Sequence, residues 1–137
     1  MYQKAINLIT KYHNDQVDKG GNPYINHLLF VSDNCKSEQS KVVGLLHDIL
    51  EDTSCTPQEL YDNGFCSEIF EAVITLSKNY STSYDQYLKN IKENDLAKEV
   101  KIADLKNNMD LSRLKIIKDN DIKRNEQYKE ALLFLEN

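Results

Sequence analysis

Residues that interrupt helices are scarce in this chain: proline stands only at positions 23 and 57, and glycine only at 20, 21, 44 and 64, in 137 residues. Between them, apolar side chains recur every three or four positions, the spacing that lines one face of an α-helix. Such a chain has few places to turn tightly and many in which to propagate a helix. The expectation is an all-α fold of six or seven helices. At this length one hydrophobic core suffices without disulfide or metal staples, and no repeat, low-complexity tract or linker divides the chain. A single domain over residues 1–137 follows.

The first helix is expected over about residues 2–14, where Ala5, Ile6, Leu8, Ile9 and Tyr12 form an apolar stripe. The loop DQVDKGGN then breaks regular structure at its paired glycines. Asn22 and Pro23 read as an N-cap and a first-turn proline opening a helix over about 23–35. A third helix is expected over about 38–53, ended before the capping box Thr56-Pro57-Gln58-Glu59 starts the next. Further helices are expected near 67–78, 82–94, 96–117 and 122–136.

Composition narrows the function classes. Hydrophobic residues make up 40% and charged residues 28%, as in a soluble globular domain, and no apolar run approaches the roughly 18 residues of a membrane span. The start, MYQKAINLITKYH, lacks the long apolar centre and small-residue cleavage site of a signal peptide, so no membrane partner is expected and a cytoplasmic location is. Cys35, Cys55 and Cys66 are odd in number and form no CxxC pair, which points to reduced packing or surface residues. A net charge of −5 argues against a nucleic acid polymer held on a general basic surface. A small anionic ligand held by a few lysines and a metal remains open.

Chemistry concentrates in GLLHDILEDT, residues 44–53. On a wheel of about 100° per residue, Val42, Val43, Leu45, Leu46, Ile49 and Leu50 gather on one side of the third helix. Gly44, His47, Asp48, Glu51 and Asp52 gather on the other, a face without Lys, Arg or Gln whose glycine leaves room for something to approach the backbone. Glu51 and Asp52 also fall in the last turn, where the helix dipole disfavours carboxylates by a few tenths to ~1 kcal/mol each. A bound cation or a function offsets that. His27, in PYINH, is a candidate partner. Downstream, VKIADLKNNMDLSRL places Asp104 and Asn108 at i and i+4 on one helix face. His27, His47, Asp48 and Asp104 make a two-histidine, two-carboxylate set, which suits Mn²⁺, Fe²⁺, Co²⁺ or Zn²⁺ better than Ca²⁺.

The order PYINH, HDILED, VKIADLKNN resembles the HD-domain phosphohydrolases, and among them the hydrolase domains of RelA/SpoT-type enzymes and the small stand-alone alarmone hydrolases. The resemblance runs over about residues 5 to 115. It implies one divalent ion, most often Mn²⁺, held by His27, His47, Asp48 and Asp104, with Glu51 and Asp52 handling protons for the attacking water and leaving group. It implies a small phosphorylated nucleotide as substrate, with guanosine 3′,5′-bis(diphosphate) losing its 3′-pyrophosphate. No synthetase segment accompanies these motifs, so the expected activity is hydrolysis alone. A phosphomonoesterase acting on nucleoside monophosphates or another small phosphate ester, and a sensor that binds metal and nucleotide without turnover, are the alternatives.

Phosphate needs cations or backbone N–H groups besides the metal. Lys19, beside two glycines in DKGGN, is the first candidate, in a loop that the resemblance places over the nucleotide. Lys101, Lys106 and Arg113 flank Asp104, and at least one is expected to reach a phosphate. Asn108 is placed for ligand or a metal-bound water. Tyr24 is placed either to stack on a base or to pack against the first helix. His13 and Gln16, an H-x-x-Q pair, are expected to brace the loop. Two departures stand out. Asp18-Lys19 replaces the Arg-Lys pair whose arginine lies against guanine in the alarmone hydrolases, and Leu28 replaces the proline after the PYINH histidine.

Overall fold

The computed structural model describes residues 1–137, with Arg113 described in its backbone alone. Among the described residues it holds nine α-helices and one 3-10 turn: α1 (Tyr2–His13), α2 (Tyr24–Asp33), α3 (Glu38–Leu46), α4 (Ile49–Asp52), α5 (Pro57–Asp62), α6 (Ser67–Leu76), α7 (Tyr84–Lys92), α8 (Asp95–Asn108), the 3-10 turn Leu111–Arg113, and α9 (Asp119–Glu136). No helix among the described residues is long and apolar enough to cross a membrane.

The all-α expectation holds, with nine α-helices among the described residues where six or seven were expected, and two expected helices are broken by side chains that take main-chain partners. The segment 38–53 splits at His47–Asp48, where the His47 ring takes the Gly44 carbonyl at 2.6 Å. The short α4 that follows ends where the Thr53 hydroxyl donates back to the Ile49 carbonyl at 2.6 Å. The segment 96–117 stops at Asn108, and the Asp110 carboxylate then accepts the Ser112 N–H at 3.0 Å, a local bond that competes with helix continuation. Thr56 caps α5 by accepting the Glu59 N–H at 3.1 Å, yet the Glu59 side chain turns to Tyr12 and Lys11, so the box is half closed. Pro23 is itself the N-cap position of α2, and Asn22 lies outside it.

α3 is the central element. It packs against α1, α2, α6 and α8, and Val42 through Leu46 are all buried. The glycine on its polar side is there for a neighbouring helix, which corrects the expectation of room for a ligand: a Cβ at Gly44 would lie 3.0 Å from the Ser32 Cα and 3.1 Å from the Ser32 nitrogen. The backbones of α2 and α3 therefore touch. The Ser32 hydroxyl reinforces the contact by donating to the Lys41 carbonyl at 2.8 Å. α8 lies across α2 and α3, which sets the histidine of α2, the end of α3 and the acidic segment of α8 around one point.

Candidate metal centre

Four elements meet at this point. His27 comes from the first turn of α2, His47 from the C-cap of α3, Asp48 from the junction with α4, and Asp104 from the inner face of α8. Because the helix breaks at 47–48, two consecutive side chains reach the same place instead of diverging by about 100°. His27 Nε2 lies 2.9 Å from Asp104 Oδ1, and His47 Nε2 lies 3.4 Å from that oxygen and 3.2 Å from Asp48 Oδ2. One donor atom each from His27, His47 and Asp104 falls within 4.8 Å of the others, and all three residues are at most 5% exposed. Asp48 is half-buried at the rim.

The outer partners decide what these donors offer. A carbonyl oxygen only accepts, so the contact of His47 Nδ1 with the Gly44 carbonyl at 2.6 Å places a proton on Nδ1. His27 Nδ1 meets Asn107 Oδ1 at 2.6 Å in the same sense. In the neutral form each ring then turns its Nε2 lone pair towards carboxylate oxygens, an arrangement that needs a proton or a cation between them. His47 Nε2 is buried without hydrogen-bond geometry to any partner. A fixed tautomer, two converging imidazole nitrogens and two carboxylates are what a divalent ion of the Mn–Zn series requires. The residues fit a metal.

Electrostatics agree in direction. Burial works against a charged His47, but the Asp48 and Asp104 carboxylates outweigh it and raise the imidazole well above its ordinary value. Burial likewise opposes ionised Asp104, and Lys101 and His47 hold it well below the carboxylate range. Without a cation, a proton on His47 balances the cluster. Tyr24 donates its hydroxyl to Asp48 Oδ2, and burial together with that carboxylate drives the phenol far above its usual value. Of the two roles expected of Tyr24, packing on α1 is the one seen, its ring stacking on His13 at 5.5 Å, while neither role anticipates the hydroxyl's bond to Asp48.

The acidic pair lies beside the cluster, and its members differ. Glu51 Oε1 accepts the Lys78 N–H at 2.7 Å, tying α4 to the loop after α6. The Asp52 main chain accepts from Gln16 Nε2 at 3.0 Å, while desolvation at the rim, reinforced by the Asp48 and Glu51 charges, pushes its carboxyl up to about 6. Gln16 in turn meets His13 Nδ1 at 2.9 Å, so His13, fully buried, braces the loop onto α4.

That loop closes through a bridge between Val17 and Pro23. Asp18 Oδ1 accepts the Gly20 and Asn22 N–H groups at 2.9 and 3.0 Å, and Gly21 adopts φ +82. Asp18 therefore builds the loop, a role that a comparison of its charge with that of arginine does not convey. The loop borders a cavity of about 250 Å³ whose walls include Lys19, Tyr24, His27, Asn108, Arg124 and Tyr128. Lys19 and Asn108 both line this cavity, and Asn108 Nδ2 also donates to Asp104 Oδ1 at 3.1 Å. Lys101 differs: its ammonium is turned to Asp104 Oδ2 at 3.2 Å. Lys106 lies exposed, 4.0 Å from Glu136, and the Arg113 side chain lies outside the described residues. Arg124 and Tyr128 on α9 lie outside the sequence motifs, and Asn107 lies inside VKIADLKNN without its bond to His27 being legible there. The one signal of the first two is their i, i+4 spacing on a helix face.

No family model matches the chain. It is 36% identical over 98 residues to a probable guanosine-3′,5′-bis(diphosphate) 3′-pyrophosphohydrolase of Mycoplasma pneumoniae, covering 68% of this chain and 13% of that protein. It is 39% identical over 80 residues to a GTP pyrophosphokinase of Myxococcus xanthus, covering 56% of this chain and 10% of that protein. It thus spans about an eighth or less of the lengths of these two relatives. Among solved structures, a metazoan orthologue of SpoT described as hydrolysing ppGpp superposes with a TM-score of 0.79 at 20% identity, covering 98% of this chain and 84% of that one. In sequence as in fold, this chain is an all-α domain resembling the hydrolase domain of RelA/SpoT-type enzymes.

Proposed function

We propose that the protein is a metal-dependent phosphohydrolase that removes the 3′-pyrophosphate of guanosine 3′,5′-bis(diphosphate). One observation carries this reading: His27 Nε2, His47 Nε2 and Asp104 Oδ1 converge in a buried cluster, with both Nδ1 positions already committed to outside acceptors. The substrate is suggested by the name of the Mycoplasma relative. His27, His47, Asp48 and Asp104 would hold the ion, with Mn²⁺ the first choice for such a donor set. When bound, the ion supplies a water acidified towards neutral pH and offsets charge on the phosphoryl oxygens.

The chain's own groups do the rest. Asn107 and the Gly44 carbonyl keep the two imidazoles in the tautomer that presents Nε2. Asp52, with its carboxyl near the pH of the medium, takes and returns the proton, and Glu51 holds α4 against Lys78 while adding to the negative field that raises Asp52. Lys19 and Arg124, which both line the cavity, with Arg124 3.2 Å from Asp121 Oδ1, would face the phosphates. Asp18, closed onto its own loop, supplies no cation for guanine. That favours a second reading, hydrolysis of a nucleoside monophosphate or another small phosphate ester.

The test is hydrolysis of guanosine tetraphosphate beside nucleoside mono-, di- and triphosphates with Mn²⁺ present. Pyrophosphate from the tetraphosphate is the expected product; orthophosphate from monophosphates alone selects the second reading. A metal-loaded protein that turns over none of them points to a substrate outside this panel or to a sensor.

Asp52 also makes a measurable prediction. In metal-free protein its carboxyl is expected to titrate near 6, and adding Zn²⁺ is expected to lower the midpoint, because the ion offsets the Asp48 charge. Carboxyl carbon NMR reads both values; a metal-free midpoint near 4 rejects the environment described. The folded value exceeds the unfolded one, so Asp52 contributes stability that is full below about pH 4 and is lost as pH rises through about 6. Asp52→Asn is expected to keep the metal and slow turnover by about 10²- to 10⁴-fold.

A further inference from the structure

Lys101 sits one turn before Asp104 on the same face of α8, yet it is not a solvated helix charge. Its side chain is 17% exposed, its Nζ lies 3.2 Å from Asp104 Oδ2, and the ammonium rests 5.6 Å from the centre of the Tyr87 ring. That ring is fixed in turn, because the Tyr87 hydroxyl donates to the Leu76 carbonyl at 2.8 Å. The ammonium is thus held between an aromatic face and one oxygen of a single carboxylate. The other oxygen, Oδ1, faces His27 Nε2 at 2.9 Å and His47 Nε2 at 3.4 Å and accepts from Asn108 Nδ2. The two oxygens of Asp104 are divided between two jobs.

We propose that Lys101 is a positioning residue for the metal centre: by holding Asp104 Oδ2 it fixes the carboxylate so that Oδ1 alone is presented to the ion. This rests on the metal-centre reading above. Asp104 cannot rotate without giving up the ammonium, and an outer partner of this kind changes metal affinity or activity by about 10- to 100-fold when it is removed. An ordinary i, i+3 ion pair supporting the helix would change neither.

The test is Lys101→Met, whose chain keeps the packing on Tyr87 while losing the charge. Calorimetric titration with Zn²⁺ is expected to show affinity weakened by about 10- to 100-fold. At saturating Mn²⁺, kcat is expected to fall by about tenfold with KM changed by less than about twofold, because the group acts through the ligand and not on the substrate. Lys101→Arg is expected to recover part of both. Metal affinity equal in the wild type and Lys101→Met, or a raised KM with kcat intact, overturns the proposal while leaving the centre standing; wild-type protein that binds no metal overturns the centre itself. Should Lys101→Met fail to fold, amine labelling of wild-type protein decides. Lys101 is then expected to stay unmodified where exposed Lys106 reacts, with or without nucleotide. Reaction of Lys101 as fast as Lys106, with protection by nucleotide, makes it a substrate contact and refutes the positioning role.

Discussion

Replacing His47 and Asp48 together by alanine is expected to empty the centre and abolish hydrolysis while leaving the protein folded. The double change removes two of the four donors, and His27 and Asp104 alone do not make a closed site for a divalent ion. It also removes charges in balance. In metal-free protein His47 is held protonated against Asp48 and Asp104, and Asp104 keeps Lys101 as a partner after His47 is gone. No buried carboxylate is left alone, so the penalty that follows when one member of a buried pair is deleted is avoided. The expected readings are a helical spectrum like that of the wild type, metal content falling from about one equivalent to none, and a rate at least about 10³-fold lower. The double change, like Asp48→Ala alone, also takes from Tyr24 the acceptor of its buried hydroxyl, so some loss of stability is expected with the fold retained. Stoichiometric metal in the folded double variant would disprove the ligand assignment.

The centre is legible in sequence to the extent that its donors are chemically unusual where they stand. Two histidines and two aspartates in a fixed order need no geometry to be noticed, and His27, His47 and Asp104 do meet in space, with Asp48 beside them. The groups that hold them are harder to see. Asn107 and Asn108 are neighbours in sequence, and only the direction of α8 makes Asn107 the partner of His27 and Asn108 that of Asp104. A lysine near an acidic segment is most often solvated and free to reach a phosphate; what reverses this for Lys101 is the Tyr87 ring, 14 residues away in sequence. Arg124 and Tyr128 come from α9, beyond the motifs that carry the resemblance. A helical wheel also presumes an unbroken helix through Asp52. The break at His47 arises from a side-chain bond to the Gly44 carbonyl, which no periodicity encodes, and it leaves Glu51 to bond Lys78 while Asp52 carries the raised carboxyl.

Gly44 gives the second large effect, on stability and on the centre together. A side chain at this position meets the α2 backbone at Ser32, 3.0 Å from Cα and 3.1 Å from nitrogen, and backbone cannot swing aside as the end of a flexible side chain can. Alanine gains up to about 1 kcal/mol of helix propensity and loses about 1–3 kcal/mol to overpacking, for a modest net destabilisation. Valine adds two further methyl groups and a stiff β-branch against the same atoms, so Gly44→Val is expected to cost about 3 kcal/mol or more, a drop of about 10 °C in Tm for a domain of this size. The damage does not stay local. α2 carries His27, so the displacement that accommodates valine also moves one donor away from Asp104 Oδ1, and metal affinity is expected to fall with the melting temperature. Gly21→Ala provides the contrast: its φ of +82 makes the substitution strained, but nothing lies within 4 Å, so about 1–2 kcal/mol is expected with the metal affinity retained. Calorimetric melts and metal titration of the two variants side by side separate the outcomes. Should Gly44→Val melt with the wild type, α2 and α3 do not approach as closely as described, and the placement of His27 against Asp104 falls with that contact.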